Sequence, residues 1–159
     1  MKKKRVLVDD VDLHATRRIK KKTRRILVVD DDPHATRMVK WALERTDRYE
    51  ARELNDPTQV LEAARKFKPD LILLDVCMPG REGCEVAFQI RADAEFQSTP
   101  IVFLTSLVSE QEAVGDGTSA GAFHFVAKPA RVQRMISCIE RSLEMTRCAD
   151  RVPADIGCP

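Results

Sequence analysis

Three short apolar runs of this chain each stop at a polar group capable of chemistry. Ile26-Leu27-Val28-Val29 stops at Asp30-Asp31, Leu71-Ile72-Leu73-Leu74 at Asp75, and Ile101-Val102-Phe103-Leu104 at Thr105. A fourth run, Phe123 to Ala127, is followed by Lys128. One Asp in such a place is ordinarily a helix cap or a turn residue. Carboxylates from separate strand ends, with a lysine after another, are more than capping requires. Packed carboxylates repel one another and call for a cation among them. Hard oxygen ligands with few other donors suit Mg2+, which pairs with phosphate oxygens. Lys128 adds a mobile positive charge and Thr105 a hydroxyl donor. Charge neutralisation together with a donor is what an incoming phosphoryl group needs.

These residues can act together only if the chain brings the run ends to one place. From Arg25 onward, apolar runs alternate with amphipathic segments, the pattern of β-α units and a parallel sheet. Runs that are apolar at every position suit strands covered on both faces. His34 to about Thr46 reads as a helix, with Met38, Val39, Ala42 and Leu43 at helical spacing. Tyr49 to Leu54 is more polar and reads as an edge strand. Asn55 or Asp56 caps a helix from Pro57. Further helices are expected over Cys84 to Ala92, around Glu110 to Val114, and from Ala130 to about Met145. In an open parallel sheet, ligands bind at the carboxyl edge of the strands. Asp30, Asp31, Asp75, Thr105 and Lys128 all fall on that edge.

The chain has 159 residues, 43% hydrophobic and 33% charged, enough for one domain with a little to spare at each end. No stretch approaches the length of a membrane span, and the run Val6-Leu7-Val8 is too short for a signal peptide. Five cysteines without CxxC spacing speak against a disulfide framework or a zinc site and for reduced thiols in a cytoplasm. The net charge of +2 is unevenly spread. Residues 1–25 hold eleven Lys/Arg against three Asp, while the remainder holds sixteen against twenty-two acids. Arg5 to Lys20 also repeats Arg25 to Lys40 at ten of sixteen positions. The first copy has Asp9 where the second has Val29, and Val11 where the second has Asp31, so it makes a poor buried strand. Residues 1–23 are therefore expected to be a basic appendage carrying a degenerate repeat of 25–40. Residues 24–147 form the domain, and 148–159 a disordered tail.

Four stretches carry a resemblance to a known family: ILVVDDDPHATRMV, PDLILLDVCMPGREG, PIVFLTS and FHFVAKPA, in that order. From about Arg25 to Met145 the chain resembles the receiver domain of two-component response regulators, of the stand-alone, chemotaxis type. The resemblance implies a flavodoxin-like α/β fold: a doubly wound, five-stranded parallel sheet of order 2-1-3-4-5 with five helices. It implies that Asp75 is the phosphoacceptor and that Asp31 is a direct Mg2+ ligand. Asp30 would act mainly through ordered water, and the backbone carbonyl of Cys77 would supply a further ligand. Thr105 and Lys128 would hold the phosphoryl group, with Thr105 and Phe125 moving as the switch. Pro79 and Gly80 would shape the loop beside the acceptor, and Asp32 is read as a cap rather than a ligand. Phe125 has no hydroxyl, so it can switch by packing only. Gly115, Gly117 and Gly121 depart from the family pattern by loosening the expected fourth helix.

The function implied is a signalling switch. A sensor histidine kinase or phosphotransfer protein would donate to Asp75, and the domain would catalyse only its own aspartyl phosphorylation and dephosphorylation. It would then signal to a downstream protein by direct contact, as a monomer or as a dimer formed on phosphorylation. A fragment of a hybrid kinase or larger regulator would read the same way. A pseudo-receiver that binds partners without phosphorylation is opposed by the intact set Asp31, Asp75, Thr105 and Lys128. The basic leader has no aromatic residue or motif, so sequence-specific nucleic-acid binding is not expected, nor is a membrane role. A hydrolase acting on an external phosphate would want a second acid two residues after Asp75, where Cys77 stands.

Overall fold

The structure, a computed structural model, describes residues 23–106, 123–128 and 131–149. Five strands form one parallel sheet: β1 (Arg24–Val29), β2 (Tyr49–Leu54), β3 (Leu71–Asp75), β4 (Ile101–Thr105) and β5 (Phe123–Ala127). Their order is β2-β1-β3-β4-β5. Strand β1 pairs with both β2 and β3, with Ile26 opposite Ala51 on one side and Leu71 on the other. The order reverses direction after β1, so the strand ends on either side of that point open a crevice rather than a closed seam.

The apolar runs are buried because helices cover both faces of the sheet. On one face Leu27, Val29, Ile72, Leu74, Ile101 and Phe103 meet α2 (Val60–Phe67) and α3 (Gly83–Ala92). On the other, Ile26, Val28, Leu71, Leu73, Val102 and Leu104 meet α1 (Pro33–Glu44) and α4 (Val132–Ala149). Alternate residues of a strand point to opposite faces, so a run apolar at every position feeds both layers. Each fully buried Leu or Ile contributes about 1.5–3 kcal/mol, and the three central strands are buried at every position from Ile26, Leu71 and Ile101 onward. β2 lies at the sheet edge, and its alternating burial matches its more polar sequence.

Several expectations need correcting in detail. Among the described residues there are four α-helices, not five. The remaining one, expected around 110–114, falls in 107–122, outside the described residues, as does the leader 1–22. The helix expected from Pro57 begins with a 3-10 turn, Pro57–Gln59, before α2. Asp56 rather than Asn55 caps that turn, its side chain accepting from the Thr58 amide at 2.9 Å. α4 runs to Ala149, past the end expected at about Met145, because no Gly or Pro interrupts it before Pro153. No helix of the described residues is long and apolar enough to cross a membrane.

Candidate functional site

The carboxyl ends of β1, β3, β4 and β5 meet at one edge of the sheet, and their functional side chains converge there. Carboxylate oxygens of Asp30, Asp31 and Asp75 all lie within 4.8 Å of one another. Asp30 and Asp75 are buried and Asp31 is exposed. Lys128, directly after β5, places its Nζ 2.6 Å from Asp30 Oδ2 and 2.7 Å from Asp75 Oδ1. Its backbone is fixed as well, with the amide donating to the Thr105 carbonyl at 2.7 Å. Thr105 itself is buried at the end of β4. Residues 30, 75, 105 and 128 thus come together from four separate strand ends.

Burial alone would push the Lys128 ammonium down. Hydrogen bonds to Asp30 and Asp75, and the attraction of both charges, more than offset this and raise its pKa above the ordinary lysine value. Lys128 therefore stays protonated and neutralises part of the cluster. Three carboxylates against this one ammonium still leave two negative charges in a partly buried space. A divalent cation closes that balance, and the all-oxygen donor set suits Mg2+. The donor chemistry therefore fits the metal that the sequence implied.

The loops around the cluster explain how the acids are held. Asp32 caps α1, its Oδ1 accepting from the His34 amide at 2.8 Å, while its own amide donates to Asp30 Oδ1 at 3.0 Å. After β3, the Val76 amide donates to the Leu104 carbonyl at 3.1 Å, extending the ladder by one bond. Met78 to Arg81 then turns back, with Pro79 at the second position and Gly80 at φ +77° at the third. That is a type II turn, which needs a positive φ where Gly80 stands. Cys77, two residues after Asp75, is exposed. Gly83 closes the loop, donating to the Val76 carbonyl at 2.9 Å.

Phe125 lies on the same sheet face as Thr105 but not opposite it. β5 pairs Phe125 with Phe103 and Ala127 with Thr105. The Phe125 ring stacks on Phe103 with centroids 5.2 Å apart and remains 40% exposed. Any inward movement of this ring would therefore break its stacking on Phe103.

A family model for the response regulator receiver domain matches residues 26–140. The chain belongs to this family. Among its relatives, the DNA-binding response regulator MtrA of Mycobacterium tuberculosis is 35% identical over 112 residues, covering 70% of this chain and 46% of MtrA. The transcriptional regulatory protein PdtaR of the same species is 35% identical over 95 residues, 60% of this chain and 44% of PdtaR. The chain thus spans less than half the length of these two relatives. Among solved structures, the chemotaxis response regulator CheY4 of Vibrio cholerae is similar with a TM-score of 0.64 and 29% identity, over 76% of this chain and 98% of CheY4. The receiver fold and the strand order expected from the sequence are both present.

Three residues of this receiver site escaped the sequence reading. Gly83 lies in the stretch PDLILLDVCMPGREG, around the second apolar run, but the sequence gives it no role. A Cβ there would stand 2.2 Å from the Asp75 carbonyl oxygen. Asn55 was read only as a possible cap, yet two cap-type residues in a row, Asn55 and Asp56, were one more than a helix needs. Its side chain instead reaches the β1–α1 loop, where it meets Asp30 and the buried Thr36. Thr36 carried no signal, being one polar residue within a helical pattern.

Proposed function

We propose that this receiver is a phosphorylation switch, with Asp75 as acceptor and Mg2+ as the bound ion. The observation that carries the reading is the meeting of Asp75 with Asp30, Asp31 and Lys128 at the carboxyl edge of the sheet. Asp30, Asp31, Asp75 and the carbonyl of Cys77 would hold the ion. When bound, it supplies positive charge to the oxygens of the entering phosphoryl group.

The remaining work belongs to the chain. An Asp75 carboxylate oxygen attacks the phosphorus of a phosphohistidine, forming the O–P bond as the N–P bond breaks and the imidazole leaves. Lys128 exchanges part of its contact with Asp75 for the new phosphoryl oxygens, which keeps the charge paired throughout. The Thr105 hydroxyl at the end of β4 donates to the same group. In-line positioning and charge stabilisation supply most of the rate in such transfers, so no separate general base is required.

The donor in this reading is a sensor histidine kinase or a phosphotransfer protein of the cytoplasm, and the readout is contact with a downstream protein. Residues 24–147 carry the switch, and the basic leader is an appendage to it. Thr105 and Phe125 pass the change outward as a two-state element.

Incubation of the chain with acetyl phosphate and Mg2+, followed by intact mass, tests the reading. One added phosphoryl group is expected, removed by mild base and absent when the metal is chelated. Asp31→Ala is expected to weaken Mg2+ binding by about tenfold or more, since a direct ligand charge is lost. The matching change in the leader, Asp10→Ala, is expected to alter neither metal binding nor labelling. Labelling that persists in chelator would refute the metal's role.

A further inference from the structure

Asn55 stands at the end of the edge strand, outside the acid cluster, yet it is bonded to the loop that carries two of the acids. The Asp30 amide donates to the Leu54 carbonyl at 3.1 Å, the last backbone rung between β1 and β2. One step further the two strands part, and the Asp30 carbonyl has no amide of β2 to meet. Asn55 Nδ2 takes that place, donating to the Asp30 carbonyl at 2.7 Å. That carbonyl and the Asp31 amide belong to one rigid peptide plane. Holding the carbonyl therefore sets the direction in which Asp31 leaves the strand.

The amide of Asn55 is itself held. Its Nδ2 also donates to Thr36 Oγ1 at 3.0 Å. Thr36 is fully buried in α1, and its single hydroxyl proton has two acceptors in reach, the Pro33 carbonyl at 3.2 Å and Glu53 Oε2 at 3.4 Å. A carbonyl oxygen only accepts, so Nδ2 and not the amide oxygen must face Asp30. Both protons of Nδ2 are then used, one on the acid loop and one on the helix that follows it. Asn55 thus joins β2, the β1–α1 loop and the first turn of α1.

We propose that Asn55, held by Thr36, is a positioning residue for metal binding: it fixes the Asp30–Asp31 peptide so that the exposed Asp31 carboxylate faces Asp75. The inference rests on the reading of the cluster as a Mg2+ site. It adds a residue outside the ligand set whose effect falls on the metal requirement rather than on the acceptor chemistry. Groups that orient metal ligands commonly change affinity 10–100-fold, and one acting through the peptide rather than the carboxylate falls at the lower end.

Calorimetric titration of Mg2+ into the metal-free full chain tests this. Asn55→Ala should raise the dissociation constant by about fivefold to tenfold. Its phosphorylation rate from acetyl phosphate at saturating Mg2+ should stay within about twofold of the unmodified chain. Thr36→Val keeps the side-chain shape and removes the hydroxyl, and should weaken Mg2+ by a smaller factor. Thr36→Ser restores the hydroxyl and should return the affinity to normal. Asp31→Ala is the control for the site itself. If Asp31→Ala abolishes binding while Asn55→Ala binds normally, Asn55 has no positioning role and the inference fails alone. A lower melting temperature in Asn55→Ala with unchanged Mg2+ affinity has the same meaning. Unchanged binding in Asp31→Ala would overturn the metal site and the inference with it.

Discussion

Asp75→Asn is expected to abolish phosphoryl incorporation from acetyl phosphate and Mg2+, leaving the intact mass unchanged after an incubation that labels the unmodified chain fully. An amide oxygen is too weak a nucleophile to form the acyl phosphate. The fold should survive, because Asn keeps the size of Asp and an oxygen able to accept from Lys128, which lies 2.7 Å from Asp75 Oδ1. The melting temperature should therefore stay within a few degrees, separating loss of chemistry from loss of structure. Asp32→Asn is the informative companion. Asp32 caps α1, bonding the His34 amide at 2.8 Å, and Asn caps helices about as well as Asp. That variant should label at close to the normal rate. Equal labelling of Asp75→Asn would remove Asp75 as acceptor and direct the search to Asp30 or Asp31.

Gly83→Ala is expected to destabilise the domain and slow its phosphorylation together. Gly83 is the first residue of α3, and a glycine-to-alanine change in a helix ordinarily stabilises by up to about 1 kcal/mol. Here the steric term is larger and of opposite sign. A Cβ at Gly83 would stand 2.2 Å from the Asp75 carbonyl oxygen and 2.9 Å from the Val76 Cα, both backbone atoms. Neither can rotate away, so the helix start must move off the strand, breaking the 2.9 Å bond from the Gly83 amide to the Val76 carbonyl. Overpacking of this kind costs about 1–3 kcal/mol, occasionally more. For a domain of this size that corresponds to a melting temperature lower by roughly 3–12 °C. The displaced atoms belong to the acceptor strand itself, so labelling should slow even at temperatures where the variant is folded. A melting temperature equal to or above that of the unmodified chain would show that α3 shifts without cost.

The geometry of the sheet couples these positions. Asp30, Asp75, Thr105 and Lys128 are each the last residue of a strand or the first beyond it, so their positions follow the ladder. Small shifts of one strand end reach the others through the bonds that fan across the edge, from Val76 to Leu104 and from Lys128 to Thr105.

The sequence by itself determined the strands, the class of the sheet and the acids of the site. Runs apolar at every position can be stable only between two covering layers, which leaves a parallel sheet with helices on both faces as the solution. Their polar end residues then had to share one edge, and the family resemblance supplied the strand order. Tertiary structure decided what depends on distance between elements remote in the chain. Whether Asn55 or Asp56 capped the next helix was open in sequence, since both residue types cap well. It is settled by the approach of β2 to the β1–α1 loop, which leaves an unpaired carbonyl at Asp30 for Asn55 to meet. The role of Gly83 depends likewise on how closely α3 begins against the backbone of β3. The family resemblance pairs Phe125 with Thr105 as a switch, and the parallel register sets its ring opposite Phe103, on the same sheet face as Thr105. Local pattern fixes which face a side chain takes, because the period of a strand is a property of its own backbone. Which partner it meets on that face depends on register and helix approach, and these are set only when the layers pack.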